Sequence, residues 1–439
     1  MRFFDRTEEI ASLKEIQELS KNNAQFTVVT GRRRIGKTHL VWKAYEDQPI
    51  IYFFVARKAE SDLCSDYLHE IETKLGLPMM GKVERFPELF EYLMKISVER
   101  PLTLFIDEFQ EFFKVNKSVY SDMQRIWDKY HTVSHINLIV CGSIYSMMTK
   151  IFKDKKEPLY NRQTRFMSIK PFTPVVLKEI MAEYNPDYTP EDLLALYSFT
   201  GGVAKYVQLL IDAGATTKTK MLNQIIKSDS IFLGEGKAIL IEEFGKDYGI
   251  YFSILSAIAR GKTTRSEIEN IIGKEIGGYL TKLENEYELI SKKQPIFEKS
   301  STKNVRYTIE DNFFTFWFRF IYKYNYMLEI ENYDAVKTII NRDYETFSGL
   351  MLERYFKRIL IESKKYTRIG SWWDRKGENE IDIVAENELD QQALFIEVKR
   401  KIENYNPELL SSKIAAFTRA TGEFKNYTVT QKGVSLEDI

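Results

Sequence analysis

Residues 30–38 read T-G-R-R-R-I-G-K-T and match G-x-x-x-x-G-K-[ST], with Gly31, Gly36, Lys37 and Thr38 at the defining places. That spacing builds an anion cradle. The glycines let the backbone curl so that successive N–H groups face one phosphate, and the helix that follows adds the positive end of its dipole. Lys37 would face the β- and γ-phosphates of a nucleotide, and Thr38 would offer its hydroxyl to Mg²⁺. Gly31, Arg32, Arg33, Arg34, Ile35, Gly36, Lys37, Thr38 and His39 are therefore the expected binding residues for ATP. The flanks suit the motif: residues 26–29 are an apolar, β-branched run and residues 39–44 continue with helical patterning.

A second group belongs with the first. Residues 102–106 run apolar into Asp107-Glu108. An apolar strand ending in two acids is costly unless the acids meet cations or water. Asp107 fits the positioning of magnesium, and Glu108 fits the base that orients an attacking water. Ser143 follows the apolar run 136–140. It is placed either to touch the γ-phosphate or the water, or to cap a helix. Arg162 and Arg165 also have two readings. Either could be an arginine finger, in cis or from a neighbouring molecule, that neutralises transition-state charge; solvated loop arginines are the alternative.

The last hundred residues hold a third group. Glu380-Ile381-Asp382-Ile383-Val384 alternates acid and apolar, and Glu397 and Lys399 lie two apart in an apolar run. The period of a strand puts Glu397 and Lys399 on one face. Asp382 and Glu397 can hold a divalent cation. Lys399 can polarise a scissile phosphate, and a metal can supply hydroxide at neutral pH. Glu353 stands among apolar neighbours on a helical stretch, 350–356. Taken singly, an E-x-K on a hairpin is as readily a solvated face.

These residues need elements to position them. Ile10, Leu13, Ile16 and Leu19 mark an amphipathic helix. Strands at 26–29, 50–55, 102–106, 136–140 and 165–169 alternate with helices near 61–75, 87–98 and 118–130, which predicts an α/β parallel sheet covered on both faces. Its ligand belongs outside the carboxyl ends of the strands. Residues 174–245 read as helical, punctuated by Thr200-Gly201-Gly202. Helices at 250–259, 265–272 (capped near Thr263 or Thr264) and 274–286, then strands at 290–297 and 305–309, make a winged helix. If it binds DNA, the third helix enters the major groove and Lys292, Lys293 and Lys303 touch phosphate. Glu275, Glu284 and Glu286 on that helix oppose such binding, and a winged helix that packs between domains is the other reading. The aromatic segment 311–324 has helical spacing and reads as core. Four regions follow: 1–172, 173–247, 248–325 and 326–439.

Composition narrows the class. The chain has 439 residues, 44% hydrophobic and 29% charged, with 63 basic and 63 acidic side chains. No global field steers it to nucleic acid, so such binding needs a local patch. Cys64 and Cys141 are too few for a disulfide framework or a zinc site. His131 and His135, four apart, lack a carboxylate partner at metal spacing and read as surface or packing. Residues 1–5 have no apolar signal core, and the aromatic run 313–320 is short and carries Arg319, so no membrane span is expected. A reduced, cytoplasmic setting is the expectation.

With these residues in view, the chain resembles the archaeal-type AAA ATPases of the STAND class. The resemblance rests on Phe4-x-Arg6-x-x-Glu9, Gly31 to Thr38 with its arginines, Leu104-Phe105-Ile106-Asp107-Glu108-Phe109-Gln110, Cys141-Gly142-Ser143 and Lys170-Pro171-Phe172. It covers the N-terminal half. It implies that Arg6 and Glu9 lie by the adenine and that Gly201-Gly202-Val203-Ala204-Lys205-Tyr206 opens a helix of the lid; the family usually has proline where Ala204 stands. The tail resembles the PD-(D/E)xK nuclease core, a restriction-endonuclease-like α/β fold. The helix acid maps to Glu353, the first strand acid to Asp382 and the E-x-K to Glu397 and Lys399, with Ser371-Trp372-Trp373 just upstream; Ile381-Asp382 is a loose match to the PD pair. The combination implies an ATP- and Mg²⁺-dependent switch controlling a metal-dependent nuclease on DNA. Alternatives are an ATP-responsive DNA-binding or signalling protein with an inactive nuclease-like domain, and a switch whose partner is another protein or a second copy.

Overall fold

The computed structural model describes residues 1–76, 81–299 and 301–439. The chain divides into two compact units, residues 5–170 and residues 1–4 with 171–439. Both are α/β.

The first unit is built on five parallel strands: β1 (Gln25–Thr30), β2 (Ile51–Phe54), β3 (Leu102–Asp107), β4 (Ile136–Cys141) and β5 (Arg165–Ser168). Their order is β2-β3-β4-β1-β5. Every residue of β1, β3 and β4 is buried, as the near-continuous apolar runs require of strands covered on both faces. Helices Glu60–Leu75, Phe86–Glu99 and Ser118–Tyr130 supply one cover, with Leu63, Phe86, Phe90, Met123 and Trp127 in its core. Strand order matters for chemistry. β4 stands between β1 and β3, so the carboxyl end of β4 lies between the loop after β1 and the acids after β3.

The second unit begins with helices Pro174–Tyr184, Pro190–Thr200, Ala204–Asp212, Lys218–Ile225 and Ile231–Phe244. Thr189 caps the second of these through a reciprocal box with Asp192, a local signal that fixes where the helix starts. Gly201, at φ 60°, ends it, because a left-handed cap favours the residue without a Cβ.

Helices Tyr248–Ala259, Arg265–Ile272 and Gly277–Asn285 come next, followed by the hairpin β6 (Ile290–Lys293) and β7 (Arg306–Ile309). Thr264 is the cap of the middle helix, boxed with Glu267. The hairpin is shorter than the predicted 290–297 strand. Beyond Lys293 the chain leaves it, and Ile296 N–H donates to the Ser371 carbonyl at 2.8 Å. Ile296 is buried with Trp372, Phe395 and Phe417. The apolar residues read as the end of a wing strand are an anchor in the C-terminal core, because burying them there removes more apolar surface from water than a solvated hairpin tip. Lys293 pairs with Glu310 at 2.8 Å. Ser300, within the predicted hairpin, lies outside the described residues.

The aromatic segment is not one regular helix. Asn312–Phe316 is α-helical and Trp317–Tyr322 winds as a π-helix. Phe313, Phe314, Phe316, Trp317, Phe318 and Phe320 are all buried, so the segment is core. The long helix Tyr333–Glu362 then leads to the mixed sheet β11-β10-β9-β8, made of β8 (Arg368–Trp373), β9 (Glu380–Asn387), β10 (Gln392–Val398) and β11 (Thr428–Val434). β8, β9 and β10 are antiparallel neighbours, and β11 runs parallel to β10. Helix Pro407–Thr421 crosses between β10 and β11. Among the described residues no helix is long and apolar enough to cross a membrane.

Candidate functional site

The loop after β1 curls as its glycines require. Gly31 has φ 147° and Gly36 has φ 96°. A Cβ on Gly31 would stand 2.7 Å from the Ile169 carbonyl oxygen, closer than side-chain carbons approach backbone, so only glycine fits. Arg34 also takes the left-handed conformation, at φ 67°. Successive residues of this kind turn backbone N–H groups inward as an anion nest. Gly36 caps helix Lys37–Ala44, whose dipole adds to the nest. The Lys37 ammonium is buried and donates to the carbonyls of Gly31 at 2.9 Å and Arg32 at 3.0 Å.

The acids meet this loop through hydroxyls. Thr38 Oγ1 donates to Asp107 Oδ2 at 2.7 Å, and Glu108 N–H donates to Asp107 Oδ1 at 2.9 Å. Burial pushes the Asp107 carboxyl above its ordinary range, against the pull of these two bonds. Tyr52 O–H stands 3.4 Å from the same carboxylate. A hydroxyl beside a carboxylate oxygen is the donor set that a hard cation such as Mg²⁺ takes, so these residues fit the metal. Glu108 has φ 54°, which turns it off the strand. Its Oε2 accepts from Ser143 Oγ at 2.8 Å and from Gln110 Nε2 at 2.5 Å. Sequence reasoning left Ser143 between two roles. The bond to Glu108 exists because β4 pairs directly with β3. Gln110, which ends the motif 104–110, takes no role from the sequence until this bond is seen, and Tyr52 carries no sequence signal for its contact.

Arg6 is buried at φ 73°, and its guanidinium donates to Glu9 at 3.1 Å and to the Lys170 carbonyl at 2.6 Å. Lys170 follows Ile169, which packs on Gly31, so Arg6 stands on the same side of the sheet as the cradle. Arg162 and Arg165 do not. β5 pairs with β1 so that Arg165 lies opposite Thr27 and Ser168 opposite Thr30. At about 3.3 Å per residue, both arginines sit toward the amino end of the strands, away from the phosphate loop. Arg162 is held in a fork by Asp128 at 3.0–3.1 Å, and Arg165 pairs with Glu15 at 2.8 Å. Parallel register thus sets these side chains apart from the phosphate loop, each held by an acid. Both cysteines are buried, and burial pushes the Cys64 thiol up to about 12, which leaves it unreactive.

The C-terminal group converges from three elements. Glu353 comes from helix Tyr333–Glu362, Asp382 from β9, and Glu397 from β10 with Lys399 just past its end. Ile383 pairs with Ile396, so antiparallel register brings Asp382 across from Glu397. Asp382 Oδ2 accepts the Val398 N–H at 2.7 Å. Burial and the charges of Asp382 and Glu380 push the Glu353 carboxyl up to about 8. Burial, joined by the Glu397 charge, pushes Asp382 up to about 6. Glu397 is 5% exposed. Lys399 Nζ donates to its Oε1 at 2.9 Å, and Lys413 Nζ donates to Oε1 at 2.8 Å and Oε2 at 3.0 Å. Burial works against the Lys399 charge, and the Glu397 bond outweighs it, so its affinity for a proton rises. Among the described residues no three His, Cys, Asp or Glu side chains are arranged to hold a metal ion. At the acid pair of Asp382 and Glu397, ammonium groups occupy Glu397. Around it, Arg306 pairs with Glu380 at 2.6 Å and stacks 4.4 Å from the Trp373 ring. Arg400 Nη2 donates to Glu191 at 2.5 Å. Arg306 lies far along the chain from Glu380 and Trp373, and Lys413 lies 16 residues from Glu397; no local pattern marks either.

The fold and the first site together define a P-loop ATPase domain. Residues 3–210 match a family described as "ATPase domain predominantly from Archaea", and residues 317–409 match one described as "Archaea bacterial proteins of unknown function". The uncharacterized protein MJECL04 of Methanocaldococcus jannaschii is 34% identical over 413 residues, covering 91% of this chain and 88% of its own. The chain belongs to the family of that protein, and its N-terminal half is an ATPase domain of archaeal type. Among solved structures, the Walker-type ATPase PABY2304 of Pyrococcus abyssi overlays 72% of this chain and 96% of its own with a TM-score of 0.54 at 21% identity, a likeness of fold. The ORC2 protein of Aeropyrum pernix, solved as ADPNP and ADP complexes, covers 70% of this chain and 89% of its own at 16% identity with a TM-score of 0.48.

Proposed function

We propose that this chain is an ATP-hydrolysing switch whose C-terminal acid site works on DNA as a metal-dependent, nuclease-like domain. The observation that carries the first half is the hydroxyl relay: Thr38 on Asp107 and Ser143 on Glu108. In this reading Lys37 faces the β/γ-phosphates, with residues 31–39 cradling them and Arg6 near the base. Thr38 and Asp107 would hold Mg²⁺, which supplies charge neutralisation at the phosphates when bound. Glu108 takes the proton of the attacking water. A serine hydroxyl has one proton to donate. While Ser143 gives it to Glu108, the carboxylate is held; a γ-phosphate oxygen competes for that proton and frees Glu108. Ser143 thereby senses which nucleotide is present. The test is Glu108→Gln, which keeps the shape and removes the base. ATP should bind as in wild type while turnover falls by roughly 10²- to 10⁴-fold. Wild-type turnover in that variant would end the assignment.

For the C-terminal half, Asp382 and Glu397 would hold the divalent cation, Lys399 would polarise the phosphate, and Glu353 would add the third acid. A second reading has its own support: with Lys399 and Lys413 on Glu397 and no three-residue metal cluster among the described residues, the domain grips DNA, or serves a protein partner or second copy, without cutting. A cleavage assay on single- and double-stranded DNA with Mg²⁺ or Mn²⁺, with and without ATP, separates the two. Cleavage lost in Asp382→Asn favours the nuclease; binding without cleavage favours the grip.

A further inference from the structure

Helix Pro407–Thr421 lies on the C-terminal sheet through Leu410 and Phe417, which are 1% and 0% exposed. Lys413 stands between them at helical spacing, on the same face. Its side chain is 14% exposed. A lysine at a core-facing position is costly unless its charge is met there. It is met by Glu397, 16 residues away, through both carboxylate oxygens at 2.8 and 3.0 Å.

Stability alone is a poor reason for this arrangement. Replacing a buried ion pair with apolar side chains is often neutral or stabilising, and Glu397 already has Lys399 at 2.9 Å. A carboxylate offers roughly four lone-pair directions, two on each oxygen. Oε1 accepts from both lysines and Oε2 accepts from Lys413. A cation seated between Glu397 and Asp382 has to displace an ammonium or accept the single direction left on Oε2. We infer that Lys413 is an internal counter-cation of this site, a positioning residue that competes with a divalent cation for Glu397. The inference rests on the reading of Asp382 and Glu397 as a cation site. It gives the site a closed state in which the buried acid is neutralised by the protein itself.

The experiment uses the full-length, nucleotide-free protein and follows free Mn²⁺ by electron paramagnetic resonance. Asp382→Asn, alone and combined with each other variant, defines the part of the binding that belongs to this site. Lys413→Met should bind Mn²⁺ there about tenfold more tightly than wild type, since one competing unit charge beside the ligand is gone. Lys413→Arg, which keeps the charge, should bind like wild type. Circular dichroism checks folding; should the Met variant misfold, Lys413→Gln, uncharged yet able to hydrogen-bond, is read the same way. Asp382-dependent binding that is unchanged or weaker without the lysine charge overturns the role of Lys413 and leaves the cation site standing. No Asp382-dependent binding in wild type or in the uncharged variants brings down the cation site and the inference with it.

Discussion

The molecule carries two acid sites that solve the same electrostatic difficulty by different means. At the carboxyl end of β3, Asp107 and Glu108 are adjacent in sequence and are met by neutral donors: Thr38, Ser143, Gln110 and a backbone N–H. In the C-terminal unit, Glu353, Asp382 and Glu397 come from separate elements, and Glu397 is met by ammonium groups; burial raises the proton affinity of Asp107 as it does that of Glu353 and Asp382. Two like unit charges at 4 Å repel by roughly 4 kcal/mol at an effective dielectric of 20, so clustered acids need some answer. Neutral hydroxyls hold a carboxylate in place without cancelling its charge. In the proposed reading, Mg²⁺ arriving at the first site meets carboxylates hydrogen-bonded by neutral donors, with no ammonium to displace from them. At the second site, lysines cancel the Glu397 charge in advance. A cation that arrives at the second site must move an ammonium or expel a proton. In the proposed reading, the first arrangement serves a nucleotide cycle and the second is closed until its ligand comes.

Three substitutions bear on this contrast, the largest expected effect first. Lys37→Ala removes the one buried ammonium of the first site and should weaken ATP binding by about a hundredfold or more, since charge-assisted contacts to phosphate are the strong ones. Isothermal titration reads it, and Lys399→Ala should leave ATP affinity as in wild type; unchanged affinity in Lys37→Ala would remove the cradle from the account. Ser143→Ala cuts the relay to Glu108 while leaving the cradle whole. Turnover should change by about tenfold, the worth of one hydrogen bond to a charged group, with ATP affinity kept. A variant that loses affinity and keeps turnover would make Ser143 a binding residue instead.

The smallest effect concerns Glu353, whose carboxyl is raised from 4.5 to about 8 in the folded chain. A raised carboxyl means that the folded protein holds a proton the unfolded chain has released. Its contribution is fully present below pH 4.5 and is lost as pH rises through about 8. In a chelator, Glu353→Gln should therefore melt a few degrees above wild type at pH 8.5 to 9, on the order expected for a kcal/mol-scale change, and the gap should close toward pH 4. Melting curves with the same gap at every pH would show that Glu353 carries no such burden, and would bring the second site closer in character to the first.

Much of the first unit was legible in the chain. Its strands are short apolar runs, and its functional residues sit at their ends: Thr30 leads into the cradle, Ile106 into Asp107, Cys141 toward Ser143. Contiguity makes such features readable, since strand, loop and helix follow within a dozen residues. Arg162 and Arg165 kept two readings because a loop arginine has no local mark saying which end of the sheet it serves. The wing misled for a related reason. Ile296 and Phe297 extend an apolar run, and a run cannot say whether it continues a strand or leaves it for another core.

The chemical inventory, then, was set by the sequence alone: a glycine loop with lysine and threonine, a strand ending in two acids, and an ordered set of acid, acid and E-x-K in the tail. Local spacing determines which face or end of an element a residue occupies, because backbone periodicity is a property of the chain itself. The tertiary structure decided which of these groups meet. Placing β4 between β1 and β3 joined Ser143 to Glu108, parallel register sent Arg162 and Arg165 away from the cradle, and the packing of helix Pro407–Thr421 on the sheet laid Lys413 across Glu397. Each outcome is fixed by strand order and by the burial of distant apolar faces, and no local spacing rule contains it.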